Sequence, residues 1–589
     1  TDKEEMEDIL MQANEEKFRS ASDTPFAIEP LKSIVGPCAM TRDAELMLQG
    51  QYSCPENIHK GAKDFIAATA MPSRIISSKP VSSIITPDQH RTFWKSQRES
   101  TQSSPSGMHF GFMKATCKDD RLNTTMARLV SIPYETGYSP LRWRSSINVT
   151  VPKEEGAFAP EKQRTIHLLE SIFTEGTKII FNRRMMRHAR ENGILPADQY
   201  AQKGSKSIDA AVQKVLIFDV LRLRRQSGTG FASDLMSNYD RMVHGASGLA
   251  LRHLGAPPSA IRCMSDTVMN MKHYIRTAYG DSDKHYGGDP NSPLQGGGQG
   301  SPAAPPMWLA MTVVLLRIAS HHEPGFSLIS SISNLLVAFS AIMYVDDTDL
   351  FTMAKQDETN QQLCDRTQKL ADKWIDGLYA TGAVLRPEKC WWLFIAFVWE
   401  GSKWRYMNSD EEDHDLVVPD VNGMLQSVKR INFDTQKRTL GVRMAGNGRM
   451  TSKTDKEQGE FEYLRDCSTN WAESISTSYL TRNLSSMALR TTIAKTWTYP
   501  LAATKFTKKQ CELIMKPVYT KTLPKMGFNR HLPRAFRFAP LSHQGQDLPH
   551  VLLLQGTEQI KLFLSHMARG SHVCNIVESC LESASLEIG

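Results

Sequence analysis

The chain has 589 residues, enough for roughly three or four domains at ~150 residues each. Hydrophobic residues make up 40%, charged residues 23%, and the formal net charge is +7. That balance excludes a disordered chain, and the mild positive charge points to an anionic partner. Ten cysteines occur with no C-x-x-C pair and no Cys/His zinc spacing, so reduced thiols in an intracellular protein are expected rather than a disulfide framework. The longest apolar runs, such as Trp391 to Trp399, are too short to span a bilayer, and no signal peptide is present, so no membrane partner is expected. The first residue is Thr, not Met, which fits a piece of a longer product.

In chain order, residues 1–16 are acidic and helix-like. Residues 73–107 are rich in Ser, Thr and Pro, end in Ser103-Ser104-Pro105-Ser106-Gly107, and read as an exposed connector. The alternation Asn148 to Pro152 predicts a strand, and residues 207–224 a helix. In Phe231 to His244, Asp234 is followed by Tyr239 and Asp240; Ser233 and Asp234 are also good helix N-caps, so a helix start competes with a strand end there. The loop Leu294 to Pro302 carries Gly298-Gln299-Gly300 and precedes an apolar helix-like run, Trp308 to Ile318. Such glycines let backbone amides approach a ligand. In Ser340 to Phe351 two apolar runs flank Asp346-Asp347, the pattern of two strands joined by an acidic turn. Residues 358–380 predict a helix stopped by Gly382. Residues 391–407, with four tryptophans, read as a β-hairpin turning at Gly401-Ser402, and the last ~140 residues as mainly helical.

Two like charges side by side are unfavourable unless something neutralises them, and a divalent cation does so. Asp119-Asp120 and Glu411-Glu412-Asp413 lie in polar contexts and read as solvated turns; Asp346-Asp347 lies between apolar strands. Carboxylates that hold Mg²⁺ against phosphates are the working parts of nucleotidyl transfer, which makes a polymerase the first hypothesis. Asp234 is the candidate third carboxylate. Residues 505–537 carry Lys505, Lys508, Lys509, Lys516, Lys521, Lys525, Arg530, Arg534 and Arg537 against one acid, Glu512, with Phe506, Tyr519, Phe528, Phe536 and Phe538 interleaved. Basic groups among aromatics suit a phosphate-tracking surface with some stacking; a solvated helix face is the alternative.

An Asp segment, a Gly-Gln-Gly loop and a Tyr-x-Asp-Asp turn in this order resemble the reverse transcriptases of non-LTR, LINE-type retroelements, from about residue 103 to the end. Trp143, Val151-Pro152-Lys153 and Arg164-Thr165-Ile166 are similar to the fingers segments, Gln199-Tyr200 with Gly204-Ser205 to the segment before the first catalytic strand, and Asp234 with Tyr239-Asp240-Arg241 to the first catalytic motif. Tyr344-Val345-Asp346-Asp347 resembles the catalytic turn, Ala380 to Cys390 the lysine-bearing segment, and Thr439-Leu440-Gly441-Val442 the primer grip. The resemblance implies an α/β (α+β) polymerase right hand: an N-terminal extension over 1–135, fingers over 136–230, palm over 231–393, hairpin and primer grip over 394–446, and a helical thumb over 447–589. It implies RNA-directed DNA synthesis with two Mg²⁺ ions, Mn²⁺ being the alternative, on Asp234, Asp346 and Asp347. Lys389 would assist pyrophosphate departure. Lys153 and Arg164 would hold the triphosphate, Tyr239 would exclude a ribose 2′-hydroxyl, and Gly298, Gln299, Gly300 and Tyr344 would border the nascent pair. Leu440, Gly441, Lys505, Lys508, Lys509 and Lys516 would face nucleic acid.

The implied partners are an RNA template, a DNA or RNA primer, dNTPs, and an endonuclease in trans or on a longer chain, since no endonuclease, ribonuclease H or Cys/His knuckle is recognisable here. The implied location is the nucleus. Asp240 and Asp349 are read as supporting acids, not ligands. Two rivals stay open: an RNA-dependent RNA polymerase, against which Tyr239 argues, and a degenerate RNA-binding scaffold, against which the intact carboxylates argue.

Overall fold

Two sheets of mixed α/β architecture frame the middle of the chain in the computed structural model, which describes residues 2–78, 80–100, 106–322, 325–452 and 457–588. The acidic N-terminal segment forms helix α1 (Lys3–Arg19), as its composition predicts. Strand β1 (Ser145–Pro152) pairs antiparallel with β2 (Gln163–Leu168) and parallel with Lys272–Thr277, and the short strand Gly280–Asp281 closes this sheet. The second sheet has five strands. Strand β3 (Gly228–Ser233) lies at its centre, between Trp391–Ile395 and Asp347–Met353, with Ala341–Tyr344 and Lys429–Ile431 at the edges.

Sequence and structure differ informatively at β3. Its residues, Gly-Thr-Gly-Phe-Ala-Ser, read as too polar for a buried strand, yet it is buried and central. Gly228 supplies the reason. A Cβ there would stand 2.8 Å from both δ-carbons of Leu221, so the missing side chain lets the helix Ser207–Arg224 lie directly on the sheet. Thr229 places its hydroxyl 2.8 Å from that of Thr367 on the helix Asn360–Thr381. The helix start considered for Ser233 and Asp234 is not formed; the strand runs to Ser233.

Helices Ser207–Arg224, Ala304–His322 and Asn360–Thr381 cover this sheet, and the last stops at Gly382 in left-handed backbone as the sequence predicts. Two expectations are corrected. The Ser/Thr/Pro-rich segment is not a simple connector: residues 101–105, including Ser103-Ser104-Pro105, lie outside the described residues, but Pro87–Ser96 is a capped helix that buries His90, Phe93 and Trp94. Trp94 donates to the buried Glu175 carboxylate at 2.9 Å, so an aromatic pair anchors what composition alone marks as exposed. The tryptophan-rich segment is also split. Only Phe397–Glu400 and Lys403–Tyr406 form the hairpin around Gly401-Ser402, whereas Trp391–Ile395 joins the five-stranded sheet beside β3.

From Glu460 onward the described chain is helical, and its core gathers Leu464, Leu489, Trp497, Ile514 and Tyr519. All ten cysteines are free thiols. No helix among the described residues is long and apolar enough to cross a membrane.

Candidate active site

The turn between Ala341–Tyr344 and Asp347–Met353 contains only Val345 and Asp346, because Tyr344 and Asp347 face each other as the last pair of the ladder. Val345 takes φ 60° to make that turn. Its carbonyl accepts a 2.7 Å hydrogen bond from the Trp308 indole, so the apolar helix Ala304–His322 pins the turn from behind. Asp346 and Asp347 both reach solvent at the turn, although the surrounding protein crowds the Asp347 carboxylate and partly desolvates it. On the neighbouring strand the last pair is Ser233 with Thr348, so one further step sets Asp234 opposite Asp347. Facing residues of an antiparallel ladder have Cβ atoms roughly 4.5–5.5 Å apart, close enough for their carboxylates to converge.

The electrostatics agree with this placement. Burial raises the Asp234 pKa, Lys389 and Arg386 oppose the rise, and Asp346 adds to it. Asp347 is pushed up to about 6 by burial, then by Asp346, Asp349 and Asp234, against the pull of Lys214. Asp346 raises the pKa of both Asp234 and Asp347, and Asp234 adds to that of Asp347, the crowding of a carboxylate set suited to a hard divalent cation. Among the described residues no three His, Cys, Asp or Glu side chains are already drawn together as a metal cluster.

The lysine-bearing segment lies alongside. Arg386 donates its amide to the Asp234 carbonyl at 2.9 Å, and Met236 donates to Val384 at 3.0 Å, which joins 384–386 to the chain just past β3. Lys389 is exposed, next to the exposed Glu388, and acts on Asp234 through its charge. On the other side, Lys153 and Arg164 sit on the β1–β2 hairpin, both exposed. The Lys153 ammonium donates to the Glu161 carbonyl at 3.0 Å. The Lys153 pKa is lowered by burial and by the neighbouring cations Lys17, Arg386 and Arg164, with Asp240 opposing, which places the hairpin and the Arg386 segment across one electrostatic field.

Tyr239 lies in the single helical turn Asn238–Arg241, with its phenol pushed up to about 12 by burial and by Asp346. The glycine loop lies against this turn but does not offer its amides outward as expected. Gly297 and Gly298 donate to the Tyr239 carbonyl at 2.8 and 3.3 Å, and Gly296 donates to Met242 at 2.8 Å. The loop's donors are spent on shaping the Tyr239 turn. Gln299 continues the ladder beside β2, its carbonyl accepting from His167 at 2.8 Å, and Gly300 is exposed. Gln199 and Tyr200 extend the sheet edge, Tyr200 donating to the Met343 carbonyl at 2.8 Å, next to Tyr344.

Lys214 is the site residue that sequence reasoning passed over. It is buried, pairs with Asp349 at 2.7 Å, donates to the Thr439 hydroxyl at 3.2 Å and stands 4.6 Å from the centre of the Trp391 ring. A lysine that, with Gln213, interrupts the apolar stretch Ala210 to Ile217 is the signal that could have found it. Asp240 likewise pairs with Lys17 at 2.7 Å. Both acids therefore have lysine partners and are not free for a cation.

Leu440 and Gly441 form the turn of a hairpin, Lys437–Thr439 with Val442–Met444, at φ 49° and 84°. The Tyr499 hydroxyl donates to the Leu440 carbonyl and lies 2.9 Å from the Ser207 hydroxyl, which ties this turn to the C-terminal helices. The basic segment is only partly as expected. Phe506 and Tyr519 are core residues and cannot stack on bases, Lys505 pairs with Asp219 at 2.6 Å, and Arg534 pairs with Glu512 at 2.9 Å. Lys508, Lys509 and Lys516 remain exposed on the helix Lys508–Lys525. A cavity of about 390 Å³ is lined by Ile318, Thr352, Arg366, Leu370, Lys373 and Asp376 and does not include the three carboxylates. Its Arg366 and Lys373 already pair with Glu358 and Asp64.

No family model matches the chain, and no curated protein matches it.

Proposed function

We propose that the chain is an RNA-directed DNA polymerase with a right-hand arrangement in which the five-stranded sheet is the palm, the β1–β2 hairpin belongs to the fingers and the helices after Glu460 form the thumb. The observation that supports this reading is the register that sets Asp234, just past the end of one strand, beside Asp347 at the start of its neighbour, with Asp346 in the two-residue turn before it. Two divalent cations, Mg²⁺ or Mn²⁺, would activate the primer 3′-hydroxyl and stabilise the leaving pyrophosphate when bound there. The chain's own residues would do the rest. Asp234, Asp346 and Asp347 would hold the cations, and Lys153 and Arg164, exposed on the hairpin, would approach the triphosphate. Tyr239, on the turn beside the glycine loop, would meet a ribose 2′-hydroxyl and so favour dNTPs by exclusion. Lys389 stands at the edge of the carboxylate cluster, in position to support the departing pyrophosphate.

The test is primer extension on an RNA template with dNTPs or rNTPs, with and without Mg²⁺. Extension with dNTPs and Mg²⁺ is expected, and Asp346→Asn should lower it by roughly 10³-fold or more, the scale for losing a group that organises the reacting atoms. Primer-template binding should change little. Absence of extension by the wild type, or near-normal extension by Asp346→Asn, would refute the reading.

A further inference from the structure

Helix α1 touches three parts of the proposed nucleotide side. Asn14 accepts a 2.6 Å hydrogen bond from the Thr165 hydroxyl on β2, next to Arg164. The Phe18 carbonyl accepts from the Gln295 amide at 3.0 Å, at the entrance to the glycine loop. The buried Phe18 ring packs on His167, His273 and Tyr286 at centroid distances of 5.4, 6.0 and 6.5 Å. Lys17 reaches past these contacts to Asp240, pairing at 2.7 Å with an almost fully buried carboxylate. Asp240 adjoins Tyr239 in a helical turn of four residues that starts from Ser237 in left-handed backbone. So short a turn has almost no stability of its own and is held by what it touches.

We propose that Lys17 is a positioning residue for nucleotide selection: by pairing with Asp240 it fixes the turn that carries Tyr239, and through it the choice between deoxyribose and ribose. This rests on the polymerase reading above. The physical argument concerns a buried charge. With Lys17 present, Asp240 is compensated inside the protein. Without it, an unpaired buried carboxylate must find water, and a buried ion that loses its partner is strongly destabilising. The Asn238–Arg241 turn is what must open to admit that water. Its opening would pull the Tyr239 carbonyl off the Gly297 and Gly298 amides and displace the ring. A shift of about 1 Å in a positioning group can cost about 10²-fold in rate. The glycine loop, β2 and the Tyr239 turn are far apart in sequence, and α1 joins them, which gives the first nineteen residues a role in substrate choice.

The experiment uses the full chain with Lys17→Met, the conservative Lys17→Arg, and Tyr239→Val as reference. Steady-state primer extension gives kcat and KM for dCTP and CTP, and hydrogen exchange follows residues 237–241 and 295–298. For Lys17→Met the expected result is a KM for dCTP raised about tenfold with a smaller change in kcat. The dCTP/CTP preference should fall toward that of Tyr239→Val, and exchange at 237–241 should speed up. Lys17→Arg should restore most of the preference. If Lys17→Met does not fold, Lys17→Gln, which is polar but leaves the Asp240 charge uncompensated, takes its place and should show the same loss of preference and faster exchange. Wild-type preference and exchange in the folded variants would overturn the proposal. A wild type that extends no primer would refute the polymerase reading and with it the role in sugar choice; the exchange arm would still decide whether Lys17 holds the turn.

Discussion

Asp347 carries an electrostatic cost that can be read in solution. Its pKa in the folded protein is about 6, raised by burial and by Asp346, Asp349 and Asp234, whereas an unfolded aspartate titrates near ~3.9. Between those values the native state binds more protons than the unfolded state, so stability falls as pH rises through this window and stays at the lower level above it. Asp347→Asn keeps the shape and removes the charge. The expected outcome is a higher Tm than wild type at pH 7.5 and no advantage near pH 4. Millimolar Mg²⁺ should raise the wild-type Tm at pH 7.5 and raise that of the variant less. Thermal scans at the two pH values check this; a variant no more stable than wild type at pH 7.5 would refute the crowding of these carboxylates. The same crowding explains why Asp349 and Asp240 have lysine partners. Further acids buried this near the crowded turn need compensation, and Lys214 and Lys17 provide it.

The helix Lys508–Lys525 shows how an element divides its labour. One face buries Cys511, Ile514, Met515, Val518 and Tyr519, and the other exposes Lys508, Lys509 and Lys516, which make no ion pair with any described residue. If this exposed face tracks phosphates, replacing the three lysines together with Gln should weaken primer-template binding and reduce the slope of log affinity against log salt by roughly 0.7–0.9 for each lost contact. A titration from low to moderate salt measures it, and an unchanged slope would make the face merely solvated. Elements of this kind were legible in the sequence because their signals are local. The periodicity of 207–224, the stop at Gly382 and the acidic turn between apolar runs all appear where they were expected. What was not legible depends on partners distant in the chain. Trp391–Ile395 becomes a sheet strand because β3 is there to receive it, and polar β3 is buried because Leu221 fills the space above Gly228. Lys214 meets Asp349 across 135 residues, a pairing that no window of sequence reveals.

At the scale of the whole molecule, the C-terminal helices fold back onto the body and close beside the five-stranded sheet. His572 bonds the Asp198 carboxylate at 2.7 Å and stacks on Phe339, while the Asp198 carbonyl accepts from the Met343 amide at 3.0 Å, one residue before Tyr344. Arg569 adds a 2.6 Å bond to the Gly204 carbonyl, and Val573 and Ile576 bury themselves in the core of the helix Ser207–Arg224. Burial alone would lower the His572 pKa, but the hydrogen bond and charge of Asp198 outweigh it and the net shift is upward. A histidine with a raised pKa contributes stability in full below its unfolded value near ~6.5, and the contribution is lost as pH rises through the folded value. Asp209, whose pKa is lowered on balance although burial opposes it, stays charged across that window and does not confound the reading. Protection of residues 572–588 against hydrogen exchange, corrected for intrinsic rates, is therefore expected to fall between pH 6 and pH 8.5 in the wild type and to be lower but nearly pH-independent in His572→Gln. Exchange measured at both pH values decides the matter. Equal protection in the two proteins at pH 6 would mean that apolar packing alone holds the helix down and that the Asp198–His572 pair is incidental to the closure.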